Sequence, residues 1–177
     1  MVRTALALTC IVAWAGAAVA QAPAIPDRLI ESALKQAECN VDLADSKKSA
    51  TVTKIDAKHT LVELSCLQAA YNFSSILFAV PAGAPDKARL LRFQTWDGKR
   101  FGWSYSLTFA TYHEKTKRLT MFHKSRGPSD CGAAGEWQWV GSDFKMIGFW
   151  YKDPCDGKLF GFGTDDFDKW RIFPKKK

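Results

Sequence analysis

Four of the five cysteines, Cys39, Cys66, Cys131 and Cys155, carry the clearest chemistry in this sequence. An even number of cysteines in an exported chain is typical of disulfide bonds. Of the three pairings, the sequential one, Cys39–Cys66 with Cys131–Cys155, would close two loops of similar size around short sets of strands. Each bond would contribute about 3–4 kcal/mol by the loop-entropy estimate. Zinc binding and free catalytic thiols are the alternatives, and the lack of a C-x-x-C motif argues against zinc.

Other side chains suited to catalysis or metal binding are dispersed along the chain. His59, His113 and His123 are too scattered to predict a metal centre, and no G-x-S-x-G motif indicates a serine nucleophile. The carboxylates between Asp165 and Asp168 do not follow the EF-hand pattern and are typical of a solvated acidic loop. The sequence therefore predicts no catalytic residue, no metal site and no cofactor, and a protein that is not an enzyme.

The most unusual string in the sequence is R-G-P-S-D-C-G, from Arg126 to Gly132. Its glycines indicate positive φ or a close approach of backbone segments. Asp130 can accept amide hydrogen bonds or pair with Arg126. One interpretation is a structural turn that holds the disulfide of Cys131, and the other is a small anion or ligand site around Arg126 and Asp130.

Aromatic residues make up 13% of the chain and form two clusters along the sequence. Core packing is the expected role of such rings. Stacking on sugar rings or stem peptides of the cell wall is the alternative, and it requires several rings to be exposed together. Trp137 and Trp139, on one face of a predicted strand, are therefore candidate binding residues. The two clusters are Trp96, Phe101, Trp103 and Tyr105, and Trp137, Trp139, Trp150 and Tyr151.

The formal net charge is +7, and much of it lies in two places. Basic residues flank a predicted hairpin between Lys115 and Arg126, and three lysines end the chain. Solubility is one explanation of these charges, and attraction to anionic envelope surfaces is the sharper alternative. No nucleic-acid-binding module is recognisable, so nucleic acid is not an expected partner.

Residues 1–20 have the pattern of a cleaved secretory signal peptide, with Arg3 followed by an apolar run and small residues before Gln21. The run is short for a membrane span, which needs about 20 apolar residues, so we do not expect an integral membrane protein. Residues 21–26 form an Ala/Pro spacer, and residues 27–177 suit a single β-rich domain. The residues therefore predict an exported protein.

Short strands must position most of these residues. One amino-terminal helix is predicted from Asp27, which could cap it, because apolar residues from Ile30 to Ala37 recur at helical spacing. After Cys39, polar and β-branched residues alternate in runs bounded by turn residues. The expected fold is mainly β, an antiparallel sandwich or barrel of about eight to ten strands with one helix and two disulfides.

Several strands and turns can be placed along the sequence. Val41 and Leu43 alternate with polar residues as in a strand, and Asp97-Gly98 predicts a two-residue hairpin turn. Residues 88–96 form one predicted strand. One predicted hairpin pairs residues 105–113 with 119–124, which sets Tyr112 opposite Leu119 and Phe109 opposite Phe122. A second pairs residues 135–140 with 144–151 around a turn at 141–143.

The sequence resembles an exported Gram-negative bacterial family that is catalogued only as a domain of unknown function. The family signature is an R-G-x-x-D-C-G turn, a W-x-W strand, a hydrophobic strand and a later cysteine. The resemblance covers roughly residues 39–170 and implies a periplasmic location, and it transfers no catalytic residue. The matching positions are Arg126, Gly127, Asp130, Cys131, Gly132, Trp137, Trp139, Phe144, Cys155 and Gly157, with Cys66 and Ala70-Tyr71-Asn72 upstream.

Two functions fit these observations. The first is a non-enzymatic periplasmic protein that binds an anionic or cell-wall partner of the envelope, whether glycan, lipid or protein. The alternative is a protein inhibitor of a lysozyme-type wall hydrolase, a role of small disulfide-bonded β domains. The positive charge argues against the inhibitor, because common lysozymes are also basic and like charges slow docking.

Overall fold

Two α-helices and twelve strands make up residues 24–175, the part of the chain that the computed structural model describes. The predicted signal peptide, residues 1–20, and residues 21–23 of the predicted spacer lie outside the described residues. All strand pairs in the described part are antiparallel. The mainly β, antiparallel fold predicted from the alternating pattern is confirmed.

The main helix, α1 (Asp27–Gln36), buries Ile30 and Leu34 on one face, as the helical spacing predicts. Asp27 is not its cap, because the preceding proline holds the N-cap position without a side-chain hydrogen bond. The Asp27 carboxylate instead pairs with the Lys47 ammonium at 2.7 Å. Asp27 therefore joins α1 to the segment that follows it.

A second helix, α2 (Leu43–Lys48), replaces the strand predicted around residues 41–43. Asp42 caps α2, because its carboxylate accepts a hydrogen bond from the Asp45 amide at 2.8 Å. The capping chemistry of Asp42 outweighs the weak apolar alternation around it. Neither α1 nor any other helix in residues 24–175 is long and apolar enough to cross a membrane.

Two five-stranded sheets and one separate hairpin contain all the strands of the described residues. The first sheet has the order β1-β2-β3-β4, and β7 also pairs with β3. The second sheet has the order β12-β11-β10-β9-β8, and β5 pairs only with β6. The strands are β1 (Thr51–Lys54), β2 (His59–Gln68), β3 (Phe73–Pro81), β4 (Arg89–Leu90), β5 (Phe93–Trp96), β6 (Phe101–Ser104), β7 (Ser106–Thr108), β8 (Thr111–His113), β9 (Arg118–Lys124), β10 (Gly132–Val140), β11 (Asp143–Lys152) and β12 (Arg171–Phe173).

The inner faces of the two sheets share one core. Leu61 and Leu77 of the first sheet pack in the same cluster as Trp137 and Phe149 of the second. Phe93, in the separate hairpin, contacts Trp137 edge-on, with ring centroids 5.4 Å apart. The two sheets therefore form a sandwich whose inner layer is largely aromatic.

Both outer faces of the sandwich are also covered. Helix α1 packs on the first sheet, where Ile30 lies in one cluster with Phe78. On the second sheet, Trp150 stacks on Phe167 of a carboxy-terminal 3₁₀ helix, with ring centroids 4.9 Å apart. Each sheet is therefore apolar on both faces, which explains the high aromatic content.

Two of the predicted strands are divided in the structure, which gives twelve strands in the described residues instead of eight to ten. Residues 88–96 form β4 and β5, and residues 105–113 form β7 and β8. In each case the two halves belong to different sheets. Phe109, with φ +44°, lies where the chain crosses from the first sheet to the second. Local alternation cannot reveal such a crossing.

The predicted pairing of β8 with β9 is confirmed at Tyr112, which lies opposite Leu119. The prediction fails at Phe109, whose amide donates to the Phe73 carbonyl at 2.9 Å. Phe122, the expected partner of Phe109, pairs with Ala134 instead.

The long hairpin formed by β10 and β11 is confirmed. Val140 pairs with Asp143, so the turn contains two residues, one fewer than predicted. The hairpin begins at Gly132, three residues earlier than predicted. The Asp97 turn is longer than predicted, because Trp96 pairs with Phe101.

Candidate functional site

Both predicted disulfides are present. Cys39 bonds to Cys66 with a Cα–Cα distance of 4.6 Å, and Cys131 bonds to Cys155 with a Cα–Cα distance of 4.8 Å. The first bond ties the segment after α1 to β2, and the second closes the open end of the β10–β11 hairpin. The sequential pairing is therefore confirmed.

The turn before the second disulfide is built around Asp130, a residue that is 1% exposed. The Arg126 guanidinium binds both oxygens of this carboxylate, with Nε 2.7 Å from Oδ1 and Nη2 on Oδ2. The Gly157 amide also donates to Asp130 Oδ2, at 2.7 Å. The hydrogen bond from Arg126 holds the pKa of Asp130 well below its usual range, against the opposing effect of burial.

These contacts place Arg126 and Asp130 together, as the sequence suggested. Both carboxylate oxygens of Asp130 already accept hydrogen bonds, so Asp130 links two loops and is not an open ligand group. Asp130, Cys131 and Cys155 offer three atoms within 4.8 Å of one another, but both sulfurs are already bonded to each other. This geometry favours the structural-turn interpretation, with half of the Arg126 side chain still exposed.

Trp137 and Trp139 do not form a stacking platform, because their side chains are 1% and 6% exposed. Both rings pack in the core between the sheets. The Trp139 indole nitrogen donates to Asp56 Oδ2 at 3.0 Å. The burial of Trp137 and Trp139 therefore supports core packing as the role of these rings.

The three histidines have separate partners. His59 lies 3.1 Å from Asp56, His113 lies 3.1 Å from the Thr120 hydroxyl, and His123 lies 3.3 Å from the Thr108 hydroxyl. Among the described residues, no histidine joins a group of potential metal ligands.

Exposed aromatic rings occur instead at the start of β3. Tyr71 is 44% exposed and Phe73 is 52% exposed. The Phe73 ring contacts Phe109 edge-on, with centroids 5.9 Å apart, and the Lys124 ammonium lies 5.2 Å from the Phe109 ring centroid. We call Tyr71, Phe73, Phe109 and Lys124 the aromatic–cationic surface.

Asn72 fixes this surface across the two sheets. Its side-chain amide donates to the Lys124 carbonyl at 2.9 Å and accepts from the Lys124 amide at 3.2 Å. Asn72 thereby holds the start of β3 against the end of β9. Lys124 precedes Arg126 by two residues, so the surface borders the turn that Asp130 organises.

Sequence reasoning missed the aromatic–cationic surface. Phe73 begins the largely apolar segment F-S-S-I-L-F-A-V, and such a segment predicts a buried strand. The available signal was the Tyr71-Asn72-Phe73 string itself, in which a turn-forming asparagine lies between two rings. Its exposure depends on which strand edges reach this end of the molecule.

The chain matches a family model described as "Protein of unknown function (DUF1176)" over residues 2–171. It is also similar to a curated relative, "Uncharacterized protein YpfG" of Escherichia coli (strain K12), with 27% identity over 119 residues. That alignment covers 67% of this chain and 34% of the relative, so the chain spans about a third of the length of the relative. No solved structure matches the chain.

Proposed function

Because the chain belongs to the family described as "Protein of unknown function (DUF1176)", whose description names no activity, we propose a function from the geometry of the site. We propose that the protein is a non-enzymatic periplasmic protein that binds an anionic cell-wall glycan through the aromatic–cationic surface. The carrying observation is that the exposed Phe73 packs edge-on against Phe109, whose ring centroid lies 5.2 Å from the Lys124 ammonium.

The chemistry of the surface supports a glycan. Large aromatic rings carry most of their apolar area on their faces, which suits them to stack on the C–H faces of sugar rings. Exposed apolar groups rimmed by polar residues commonly mark binding sites. Phe73 at 52% exposure offers such an area, and the Phe109 contact supports its ring from one side.

The charge of the surface supports an anionic partner. Lys124 has no carboxylate within ion-pair distance among residues 24–175, and its ammonium lies over an aromatic ring. Arg126 nearby keeps half of its side chain exposed although it pairs with Asp130. The net charge of +7 adds a general attraction for polyanions. The carboxylates of wall glycans and stem peptides fit this pattern.

The predicted location supports the same partner. Both disulfides are compatible with an oxidising compartment outside the cytoplasm. In the periplasm, the wall is an abundant anionic polymer that a protein of this charge would meet.

Binding to purified wall sacculi tests the proposal. We expect the protein to sediment with sacculi at low ionic strength and to be released as salt is added, because salt screens exposed charges. Phe73→Ala should weaken binding by about tenfold, equivalent to about 1.4 kcal/mol, a value typical of an aromatic contact that dominates an interface. Lys124→Gln should weaken binding and reduce its salt dependence.

Matched controls come from the same protein. Trp103 is 57% exposed on β6, so Trp103→Ala removes an exposed ring elsewhere. Lys117 directly precedes β9, at the end of that strand opposite Lys124, so Lys117→Gln removes a lysine elsewhere. Both controls should bind sacculi like the wild type. The proposal of a glycan partner would be refuted if Phe73→Ala and Lys124→Gln both bound sacculi like the wild type. It would also be refuted if the protein bound anionic lipid vesicles but not sacculi.

A further inference from the structure

A second site lies on the outer face of the second sheet, at a distance in sequence from the aromatic–cationic surface. A cleft of about 210 Å³ opens between the loop after Cys155 and the carboxy-terminal 3₁₀ helix (Phe167–Trp170). Lys152, the last residue of β11, forms its floor. We call this space the carboxy-terminal cleft.

The floor of the cleft is fixed by Lys152, which is 2% exposed. Its ammonium donates to Asp156 Oδ1 at 2.5 Å and to the Lys158 carbonyl at 2.7 Å. It also lies 5.4 Å from the Trp170 ring centroid. A buried charge requires such partners, because removing it from water is costly. Lys152 therefore holds the walls of the cleft in place.

The charges that line the cleft divide into paired and unpaired groups. Lys152 pairs with Asp156, and Lys169 pairs with Asp166 at 2.5 Å. The remaining two charged residues of the lining are Lys158 and Asp165. Within residues 24–175, neither side chain has a partner at ion-pair distance, and the charge of Lys158 acts on Asp156 and Asp166 only from farther away. One cation and one anion are thus left open to a ligand in the same small space.

We propose that the carboxy-terminal cleft binds a small zwitterion, a free amino acid or a short peptide with both termini free. The ligand carboxylate would pair with Lys158 and the ligand ammonium with Asp165. A simple anion would be repelled by Asp165 and a simple cation by Lys158, because the other charges of the lining are already paired. Only a ligand that carries both charges complements the two open groups at once.

The size and the walls of the cleft agree with this ligand class. A volume of about 210 Å³ is below that of drug-sized pockets, which start at about 300 Å³, so it suits a ligand of one or two residues. Trp170 offers an aromatic wall, and Leu159, at 67% exposure, offers an apolar edge. These groups would contact a short aliphatic side chain.

Titration of the full chain with three related dipeptides, followed by backbone amide NMR shifts, tests the inference. The ligands are alanyl-alanine, its amide without the carboxylate, and its N-acetyl form without the ammonium. We expect alanyl-alanine to shift amides of the cleft residues and to bind about two- to fivefold more tightly than either blocked form, as expected for exposed ion pairs. Free alanine, as the fourth ligand, distinguishes an amino acid from a peptide.

Two variants assign the charges. In Lys158→Gln, alanyl-alanine and its amide should bind equally, while the N-acetyl form should still bind more weakly. In Asp165→Asn, alanyl-alanine and its N-acetyl form should bind equally, while the amide of alanyl-alanine should still bind more weakly. Exposed residues outside the cleft supply matched controls, Lys87→Gln and Asp86→Asn, and these should preserve the wild-type order of affinities.

Equal affinities of the three dipeptides for the wild type, or no shifts in the cleft, would overturn the inference whatever the variants do. The proposed cleft site is separate from the glycan site. We therefore expect Phe73→Ala to leave dipeptide binding unchanged. Loss of dipeptide binding in Phe73→Ala would likewise contradict a separate cleft.

Discussion

Two single residues, Asp130 and Gly132, fix the backbone around the second disulfide. Asp130 accepts from Arg126 and from the Gly157 amide, so one buried carboxylate joins both sides of the Cys131–Cys155 bond. Gly132 follows directly and has φ +145°, in the region that favours glycine. A Cβ at this position would lie 2.0 Å from the His123 carbonyl oxygen. Gly132 therefore permits β9 and β10 to approach.

We expect Gly132→Ala to lower the free energy of unfolding by about 2 kcal/mol or more, since the backbone and the His123 carbonyl must both shift. Urea unfolding followed by tryptophan fluorescence measures the change. Gly127→Ala is the matched control, because a Cβ there meets no atom within 4 Å. It should change stability by less than about 0.5 kcal/mol. Equal unfolding midpoints for the two variants would contradict the steric role of Gly132.

At the scale of elements, the β10–β11 hairpin organises the second sheet. It pairs on one side with β9 and on the other with β12, and its inner face supplies Trp137 and Phe149 to the core. The Cys131–Cys155 bond closes it at the end opposite its turn. The two strands are therefore constrained at both ends.

We expect the double variant Cys131→Ala/Cys155→Ala to lose about 3 kcal/mol of stability, because the bond closes a loop with a sequence separation of 24 residues. Denaturant titration under oxidising conditions measures the loss. Cys39→Ala/Cys66→Ala is the matched comparison, with a separation of 27 residues and a similar expected loss. A double variant as stable as the oxidised wild type would show that the bond adds nothing to folding.

At the scale of the whole molecule, polar contacts join the two sheets at both ends of the sandwich. At one end, Asn72 binds the backbone of Lys124. At the other end, Asp56 accepts from the Trp139 indole at 3.0 Å and lies 3.1 Å from the His59 ring nitrogen. Burial by itself raises the pKa of Asp56, but hydrogen bonds from the Lys58 amide, Trp139 and His59 outweigh it and lower the pKa to about 2.

The lowered pKa of Asp56 predicts acid sensitivity. Its stabilising effect is present above the ordinary value of 3.8 and is lost as pH falls towards about 2. We expect the wild type to lose stability across this window more steeply than Asp56→Asn, with a difference of up to about 1.4 kcal/mol per pH unit, the limit for one proton. Urea unfolding at several pH values measures the slopes.

Asp86→Asn is the control for the pH experiment, because Asp86 is exposed on the 3₁₀ helix Pro85–Lys87. It should keep the wild-type slope. If Asp56→Asn also keeps that slope, the carboxylate does not titrate with folding as proposed.

Local patterns in the sequence were sufficient for α1, the disulfide pairing and the long hairpin. The spacing of Ile30 and Leu34 fixes one helix face, and Cys131 and Cys155 bracket a hairpin whose turn keeps them close. These features depend on residues near one another in the chain, so short stretches of sequence are enough to predict them.

Tertiary structure alone decided which rings are exposed and which charges are open. Trp137 and Phe73 both belong to apolar strands, yet one is buried between the sheets and the other lies at a sheet end. Lys158 and Asp165 become the open charges of one cleft only because Lys152 and Lys169 pair with other carboxylates. Strand order and side-chain pairing depend on contacts between distant segments, and a sequence pattern with a period of two residues is the same in either sheet.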